Sequence, residues 1–412
     1  MSDLIIMAAI PCFLGLIALE YWADRKSGNG HYRLNDAFGS LSLGVMSRTS
    51  SLMILSLGAL FIDQVLPEAR WFEWSSSNPI TWIATFVLYD FCYYWTHRMG
   101  HTLNVFWAGH SVHHQSEDYN LSTALRQTSS SIWTWIFGAP LLMLGAPVEV
   151  FLICGALNLL YQFWVHTQYI DKLGWMEYVM VTPSNHRVHH GQNPEYIDKN
   201  HGGVFILWDR IFGTFQPELE DVEIIYGVRS PLQSFNPIRA NLQVWSGLIH
   251  DAWHANSWWD KCRIWFMPTG WRPKDVEIQY PVEKSDLEAF EKFDPKVSFE
   301  IHRYALFQLA AAVPLLVYFV WHFTGLSYLL VSLGFLMISL PLVTTGWMLE
   351  GRGERWEKIR LGCSWIGFAA SWGLMAPSSV AVFGGYLALN SAVLLWLIKS
   401  RSHSDSLSAS HV

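Results

Sequence analysis

Apolar residues along this chain recur in runs long enough to cross a lipid bilayer, and polar residues collect between these runs. A spanning helix needs about 20 mostly apolar residues. Runs of roughly this kind occupy residues 4–23, 79–95, 304–323, 329–349, 361–375 and 380–398. A further run at residues 38–66 is interrupted by Arg48 and Asp63. The pattern predicts an all-α protein of the polytopic membrane class.

Residues 129–166 form a longer apolar stretch, in which Glu149 is the only Asp, Glu, Lys or Arg. Gly145, Ala146 and Pro147 interrupt it near its middle, and glycine and proline disfavour the interior of a helix. We therefore predict a hairpin of two helices of about 17 residues each, which returns to the side of the membrane that it left. With this hairpin the chain has about nine predicted spans.

Lysine and arginine in short loops predict the sidedness, because they collect on the cytoplasmic side of a membrane. Nine spans with the N-terminus outside place three basic groups on one face: Arg25, Lys26 and Arg33; Arg352, Arg355, Lys358 and Arg360; Lys399 and Arg401. The polar region at residues 167–303 lies on the same face in this arrangement. We therefore expect the chemistry of the protein on the cytoplasmic side.

The same features divide the chain into segments. We predict N-terminal transmembrane helices at residues 1–78, a catalytic region at 79–235, a four-helix transmembrane region at 304–400 and a disordered tail at 401–412. Between them, residues 236–303 carry a cluster of tryptophans together with Lys261, Arg263 and Arg272. Tryptophan combined with basic residues is typical of the membrane–water interface, so this segment is expected to lie on the membrane surface.

The composition narrows the class of protein further. The 412 residues are 51% hydrophobic and 15% charged, and the net charge is -7. This apolar content excludes a disordered chain, and a nucleic-acid-binding protein would need a basic surface. The five cysteines are scattered without a C-x-x-C pair, so neither a disulfide framework nor a thiolate metal site is indicated.

Histidine is the residue type that points to chemistry. Of the 17 histidines, eight fall into three boxes: H-x-x-x-H at His97 and His101, and H-x-x-H-H twice, at His110, His113 and His114 and at His186, His189 and His190. Residues i, i+3 and i+4 share one face of a helix. Each box therefore presents several imidazoles to one place, next to the end of a predicted span.

Eight imidazoles exceed the ligand set of one metal ion, so we predict two metal ions. A single buried histidine is usually a hydrogen-bonded core residue, but three boxes together favour metal binding. A zinc protease would need H-E-x-x-H, and a bis-histidine haem would use fewer histidines. Imidazole binds zinc, copper, iron and nickel alike. We expect iron, because two iron ions with open coordination positions would bind dioxygen and allow attack on a C–H bond.

The boxes and their separations resemble those of the membrane-bound fatty acid hydroxylase and sterol desaturase superfamily. Longer strings resemble its alkylglycerol monooxygenase branch, at residues 107–110, 116–127, 161–167, 182–184, 197–200 and 208–215. The likeness is dense over residues 80–235. Thr102, where an acidic residue is common, and His201, where tyrosine is common, depart from this branch.

The resemblance implies a membrane-bound di-iron monooxygenase that hydroxylates a lipid C–H bond with O2. For this branch it implies reduction by tetrahydrobiopterin and attack on the carbon beside the ether oxygen of alkylglycerols. The products are then an aldehyde and glycerol or a glycerol derivative. The resemblance also implies that the eight box histidines bind the metal ions. His166 is expected as a ninth ligand, because its surrounding string matches the family as well.

Other polar residues flank the boxes. A metal-bound histidine usually donates its second N–H to a carboxylate or a carbonyl, and the candidate carboxylates are Asp90, Glu117, Asp118, Asp198 and Asp209. Among the neighbouring residues, Asp118, Asn120 and Asp209 are our candidates for a catalytic role.

Arg126 and Gln127 are candidates for binding the pterin or a lipid headgroup, although Arg126 is also suited to anchor the cytoplasmic face. His201 is a further candidate metal ligand. His250 and His254 form an i, i+4 pair that is expected on an interfacial helix.

Two alternatives stay open at this stage. One is a fatty acid, sterol or aminolipid hydroxylase or desaturase that takes electrons from another donor, such as an electron-transfer protein. The other is a metal transporter or sensor, which would need ionisable residues at mid-membrane along a path. The substrate is expected to be a lipid that enters from the bilayer. The membrane is the endoplasmic reticulum of a eukaryote or the cytoplasmic membrane of a bacterium.

Overall fold

The computed structural model of the chain describes residues 2–54, 61–130, 135–322 and 326–409. Within these ranges the regular structure is helical. Extended segments meet there only at isolated bridges, which join Leu103 to Pro268, Met180 to Phe205 and Gly191 to Tyr226. The prediction of an all-α chain is therefore confirmed for the described part.

The helices of the first half are α1 (Ser2–Ser27), α2 (Leu34–Ile54), α3 (Leu66–Ala69), α4 (Pro79–Thr102), α5 (Asn104–His114), α6 (Trp135–Met143), α7 (Val148–Trp164), α8 (Pro183–His190) and α9 (Leu207–Phe212). Those of the second half are α10 (Pro237–His254), α11 (Trp258–Arg263), α12 (Lys274–Gln279), α13 (Phe299–His322), α14 (Tyr328–Leu349), α15 (Glu354–Ser371) and α16 (Pro377–Ala409). The predicted span at residues 38–66 includes residues 55–60, which lie outside the described ranges.

The chain divides into two compact units. Unit one comprises Met1–Arg33, Ile54–Leu232 and Asn241–Lys292, and unit two comprises Leu34–Met53, Gln233–Ala240 and Phe293–Val412. All three histidine boxes belong to unit one. The division does not follow the bounds of the segments that we predicted, because residues 34–53 belong to unit two, and those segments remain a prediction.

Two helices that carry boxes begin at well-defined caps. The Asn78 side chain accepts a hydrogen bond from the Ile80 N–H at the start of α4, and Thr182 accepts one from the Asn185 N–H at the start of α8. In both helices a proline follows the cap, where its missing N–H costs nothing. These caps set where each helix begins and hence which way its histidines face.

The predicted hairpin is present as α6 and α7, and its turn lies where Gly145 predicts it. Gly145 has φ +117, and a Cβ at this position would collide with the Phe72 carbonyl. Glycine is required here because L-residues with side chains rarely adopt this backbone conformation. Residues 131–134, at the start of the predicted hairpin, lie outside the described ranges.

Unit two is built around one apolar core from α13 to α16, in which Phe319, Ile338, Leu342 and Leu387 are buried. In the described residues, three helices are long and apolar enough to cross a membrane: Phe299–His322, Tyr328–Leu349 and Pro377–Ser400. They coincide with three predicted spans. The predicted span at residues 361–375 lies mostly on α15, which begins with charged residues and ends at Ser371.

The nine spans and their orientation stay predictions. The last helix reaches Ala409 and so includes most of the tail that we expected to be disordered. Residues 399–409 contain neither glycine nor proline, which are the residues that most strongly end a helix.

Candidate metal centre

The three boxes lie on three helices whose ends meet in unit one. His97 and His101 are on the last turns of α4, the second box ends α5, and the third box ends α8. His166 follows directly after α7. The structure brings all nine predicted histidines together, and all are buried except His110, which is half-buried.

The nine histidines separate into two groups. Group one contains His97, His101, His110, His114 and His189, and group two contains His113, His166, His186 and His190. Within each group the ligand nitrogens lie within 4.8 Å of one another. The arrangement has the form of two neighbouring metal sites, which agrees with the prediction of two metal ions.

Helical geometry explains why adjacent histidines belong to different groups. Successive residues of an α-helix point about 100° apart, whereas residues i and i+4 nearly share a direction. His110 and His114 therefore point to group one, while His113 points to group two. In the third box, His186 and His190 belong to group two, and His189 belongs to group one. Each H-x-x-H-H box thus contributes to both sites.

The ring nitrogens within each group approach closely. In group one, His114 Nε2 lies 3.2 Å from His101 Nε2, 3.1 Å from His110 Nε2 and 3.1 Å from His189 Nε2. In group two, His166 Nε2 lies 3.2 Å from His113 Nε2 and 3.0 Å from His186 Nε2. Two nitrogens about 2.1 Å from a shared ion are about 3 Å apart when their bonds to it are perpendicular. The spacings are those of ligands around one ion.

Backbone carbonyls set the tautomers of the rings. The Nδ1 of His113 donates to the Arg126 carbonyl at 2.9 Å, and the Nδ1 of His166 donates to the Gln162 carbonyl at 2.8 Å. A carbonyl oxygen only accepts, so Nδ1 carries the proton in each ring. A neutral imidazole has a single N–H, and Nε2 of both rings therefore presents a lone pair.

Two lone pairs that face each other repel unless a cation lies between them. His97 Nε2 and His190 Nε2 are in addition buried without a hydrogen-bond partner, which is costly for a polar atom in a protein interior. A metal ion in each group removes both penalties at once. The donor set therefore fits metal ions better than it fits a hydrogen-bonded core of histidines.

Burial also keeps the imidazoles in the form that binds metal. It lowers the pKa of His113 to about 4. Burial and the neighbouring histidines lower the pKa of His189 well below its ordinary value. Both rings are neutral near pH 7, as metal ligation by imidazole requires.

The number of nitrogens bears on the kind of metal. In the described residues both groups consist of histidine alone, without a carboxylate or a thiolate. An ion that takes about six ligands would keep at least one open position in each group. Four nitrogens would close a tetrahedral zinc ion, and the five of group one exceed that number. Iron, which accepts nitrogen ligands and open positions, suits both groups.

Most of the candidate carboxylates bind partners other than the histidine rings. Asp118 forms ion pairs with Arg33 and Lys292 at 3.0 Å and 2.7 Å, and Glu117 lies 3.6 Å from Arg33. Asp90 accepts hydrogen bonds from the backbone of Val204 and Phe205 and from two side chains. For four rings, those of His97, His113, His166 and His189, backbone carbonyls take the place that we expected carboxylates to fill.

The remaining candidate carboxylates behave differently from each other. The Asp198 carboxylate lies 3.4 Å from His101 Nδ1, close to a ring of group one. Asp209 binds the backbone N–H groups of His201 and Gly202, at 2.7 Å each. Asn120 supports the turn that follows it through Ser122 and donates to the His31 carbonyl. A catalytic role for Asp118, Asn120 and Asp209 stays a prediction.

The candidates for cofactor binding lie near the histidines and form hydrogen bonds to backbone carbonyls. Arg126 is buried and donates from Nε to the Val112 carbonyl at 2.8 Å, while Gln127 donates to the Ala124 carbonyl. The side chain of His201 is buried, with Nε2 3.1 Å from the Asp198 carbonyl, and it joins neither group. The rings of His250 and His254 lie 4.2 Å apart in α10, tilted by 34° to each other, outside both groups.

Four backbone carbonyls at the site were missed by the sequence reasoning. They belong to Arg126, Gln162, Lys199 and His201, and each accepts a hydrogen bond from a histidine Nδ1. Main-chain groups are common to all residue types, so no pattern in the sequence identifies them.

Comparisons with known proteins agree with this geometry. The family model for fatty acid hydroxylase matches residues 82–214, the region that carries all the boxes. The alkylglycerol monooxygenase of Homo sapiens is 34% identical over 95% of this chain and 88% of its own length. The alkylglycerol monooxygenase of Danio rerio is 36% identical over 90% of this chain and 83% of its own length.

A more distant relative is the ornithine lipid hydroxylase OlsE of Rhizobium tropici, 28% identical over 34% of this chain and 44% of its own length. No solved structure matches the chain. The two alkylglycerol monooxygenases are aligned over nearly the whole chain, well beyond the boxes. The chain therefore belongs to the fatty acid hydroxylase family and, within it, to the alkylglycerol monooxygenases, which are oxidoreductases.

Proposed function

We propose that this protein is a di-iron monooxygenase that cleaves the ether bond of alkylglycerols. The observation that carries the proposal is the pair of histidine groups, with five and four nitrogens, in a chain whose relatives are named alkylglycerol monooxygenase. The nine histidines of the two groups would hold two iron ions. Those ions would supply the binding and reduction of dioxygen.

The reaction balances with one O2, two electrons and two protons. One oxygen atom enters the C–H bond beside the ether oxygen, and the other leaves as water. The hydroxylated carbon is then a hemiacetal. Its bond to the ether oxygen breaks and its hydroxyl proton moves to that oxygen, which releases an aldehyde and glycerol or a glycerol derivative. Tetrahydrobiopterin is the proposed source of the two electrons.

The chain contributes geometry and a dry environment. The carbonyls of Arg126 and Gln162 hold the rings of His113 and His166 by hydrogen bonds to Nδ1, so their Nε2 atoms are preorganised as ligands. The histidines are nearly all buried, which would keep bulk water away from metal ions held by them. These two features favour hydroxylation of a substrate over loss of the oxidant to solvent.

The substrate is a lipid, and the proposed route to the site is from the bilayer. The three long apolar helices of unit two support a membrane location. We propose nine spans with the metal centre on the cytoplasmic side. The membrane would be the endoplasmic reticulum or the cytoplasmic membrane of a bacterium.

A second candidate is a hydroxylase of another lipid with a different electron donor. The match to a protein named ornithine lipid hydroxylase favours it. That match covers a third of the chain, however, whereas the matches to alkylglycerol monooxygenases extend beyond the boxes. We therefore place the ether lipid first.

The test uses the full-length protein, purified in detergent and loaded with iron. An alkylglycerol and an ornithine lipid are each supplied with O2, with and without tetrahydrobiopterin. We expect aldehyde from the alkylglycerol only when the pterin is present. His113→Ala and His189→Ala should each abolish turnover while the protein accumulates normally. Hydroxylated ornithine lipid without aldehyde would contradict the proposal, and so would full activity in both variants.

A further inference from the structure

Four consecutive residues, 198–201, hold two of the five histidines of group one by hydrogen bonds and lie close to a third, and we call them the acceptor loop. The Lys199 carbonyl accepts a hydrogen bond from His189 Nδ1 at 2.8 Å, and the His201 carbonyl accepts one from His97 Nδ1 at 2.8 Å. The Asp198 carboxylate lies 3.4 Å from His101 Nδ1. The acceptor loop thus orients rings from the first and the third box.

The backbone of the acceptor loop is unusual. Asp198 has φ 57 and Asn200 has φ 55, in the left-handed region. Residues with side chains adopt this region rarely, although Asn and Asp tolerate it better than most. Such a conformation persists only where the surroundings hold it. The acceptor loop therefore needs support from outside itself.

The loop receives part of this support from Asn185 and Gln216, through the side chain of Asn200. Its Nδ2 donates to the carbonyls of Asn185 and Gln216 at 2.9 Å and 2.7 Å, and its Oδ1 accepts from the Gln216 N–H at 2.9 Å. Because Asn185 belongs to α8, these bonds tie the acceptor loop to the helix that carries the third box.

The carboxylate of Asp209 gives the acceptor loop further support. Its Oδ1 accepts from the His201 N–H at 2.7 Å and from the Thr214 hydroxyl at 2.6 Å, and its Oδ2 accepts from the Gly202 N–H at 2.7 Å. Asp209 is fully buried. Hydrogen bonds from peptide groups to an ionised carboxylate are among the stronger ones in proteins.

The residue after the acceptor loop is a glycine for a steric reason. A Cβ on Gly202 would lie 3.1 Å from Asp209 Oδ2 and 2.6 Å from the Phe205 carbonyl oxygen. The carboxylate approaches the peptide this closely only because no side chain is present. The close contact therefore depends on two residues: Asp209, which provides the carboxylate, and Gly202, which has no side chain.

We propose that Asp209 is a positioning residue of the metal centre. Its carboxylate fixes the His201 peptide, and the carbonyl of His201 holds the ring of His97 in group one. Asp209 acts through this peptide, without contact to a histidine ring of either group. The proposal rests on the proposed function to the extent that group one binds a metal ion.

The test replaces Asp209 with asparagine in the full-length protein, loaded with Co²⁺ in place of iron. Asp209→Asn exchanges one acceptor oxygen for an NH2 group and so loses at least one peptide hydrogen bond. We expect one of the two sites to bind Co²⁺ about 10- to 100-fold less tightly, the usual effect of losing a group that orients a metal-bound histidine, and to release it faster to EDTA. The visible absorption of the bound Co²⁺ should change as well, since it reports the ligand geometry.

Glu20→Gln is the matched control. Glu20 is a buried carboxylate of unit one that accepts hydrogen bonds from the Leu121 N–H and from the hydroxyls of Tyr32 and Thr167, and it does not touch the acceptor loop. This variant should release Co²⁺ as the parent protein does. If Asp209→Asn does not accumulate, Thr214→Val removes a single bond to the same carboxylate and should accelerate release several-fold.

Three results would overturn the proposal. They are an unchanged release rate and spectrum in Asp209→Asn, the same result in Thr214→Val, and equally fast release from Glu20→Gln, which would indicate general loosening. No turnover is measured, so this test is separate from that of the proposed function. The parent protein could bind Co²⁺ and still leave alkylglycerols intact when it is loaded with iron. That result would contradict the proposed substrate, but it would not contradict the positioning role of Asp209.

Discussion

His113 Nε2 and His166 Nε2 face each other at 3.2 Å, although each ring donates its only N–H to a backbone carbonyl. The contact therefore joins two acceptors, and it is favourable only with a positive charge between them. Because His113 lies next to His114, which belongs to the other group, the assignment of histidines to the two groups can be tested directly.

Double substitutions should separate the two groups. His113→Ala combined with His186→Ala removes two ligands of group two, and we expect one metal ion per chain to remain. His113→Ala combined with His114→Ala removes one ligand from each group. Because both sites are weakened, we expect substantially less than one metal ion per chain. Elemental analysis of the purified proteins measures the difference.

His250→Ala serves as the control for this experiment, because His250 lies outside both groups, and it should retain both ions. Equal metal content in the two double variants would show that the division into groups is wrong.

Asn104 connects the helix of the second box to the tryptophan-rich segment. Its Nδ2 donates to the carbonyls of Ile264 and Trp271 at 2.9 Å and 3.1 Å, and its Oδ1 accepts from the Gly270 N–H at 3.0 Å. Asn104→Ala removes these three hydrogen bonds and leaves the carbonyl of the buried Ile264 without this partner, at a cost of about 1–3 kcal/mol for that group. Hydrogen exchange measured by mass spectrometry should become faster over residues 264–271.

Gln127→Ala is the control for Asn104→Ala, since Gln127 is exposed and bonds only locally to Ala124. Exchange over residues 264–271 should be unchanged in it. Unchanged hydrogen exchange in Asn104→Ala would show that the Asn104 side chain does not hold residues 264–271 in place.

Two glycines should respond to alanine in opposite directions. A Cβ on Gly155 in α7 would lie 2.7 Å from the Tyr89 hydroxyl oxygen of α4, whereas a Cβ on Gly247 in α10 meets nothing within 4 Å. Gly155→Ala should lower the free energy of unfolding by about 1–3 kcal/mol through overpacking. Gly247→Ala should raise it by up to about 1 kcal/mol, because alanine favours a helix. Thermal unfolding in detergent distinguishes the two, and a shift of the same sign in both would refute the packing of α7 on α4.

Unit two contains a buried ion pair between Glu357 and Arg360, to which Tyr304 and Thr344 also donate hydrogen bonds. Arg360→Met removes the positive partner and leaves a buried carboxylate uncompensated. We expect a loss of about 3–5 kcal/mol in the free energy of unfolding, visible as a lower midpoint of thermal unfolding. Lys358→Met breaks the exposed pair with Glu354 and should cost less than about 0.5 kcal/mol. Similar losses of unfolding free energy in the two variants would contradict our expectation that the buried ion pair matters more than the exposed one.

The sequence by itself was sufficient for the helical class, for the hairpin turn at Gly145 and for the nine histidines that meet in the structure. Each of these follows from local rules. Apolar run length predicts spans, glycine and proline mark turns, and the i, i+3 and i+4 spacing places imidazoles on one helix face. The strings around the boxes were sufficient for the family as well.

Only the tertiary structure decided how the histidines divide and what holds them. The division depends on how α4, α5 and α8 are rotated about their axes relative to one another, which no single helix determines. The partners of Nδ1 are mostly backbone carbonyls, and these are identical in every residue. Asp209 was a candidate from its place in the sequence, but its contacts with the N–H groups of His201 and Gly202 exist only in the folded chain.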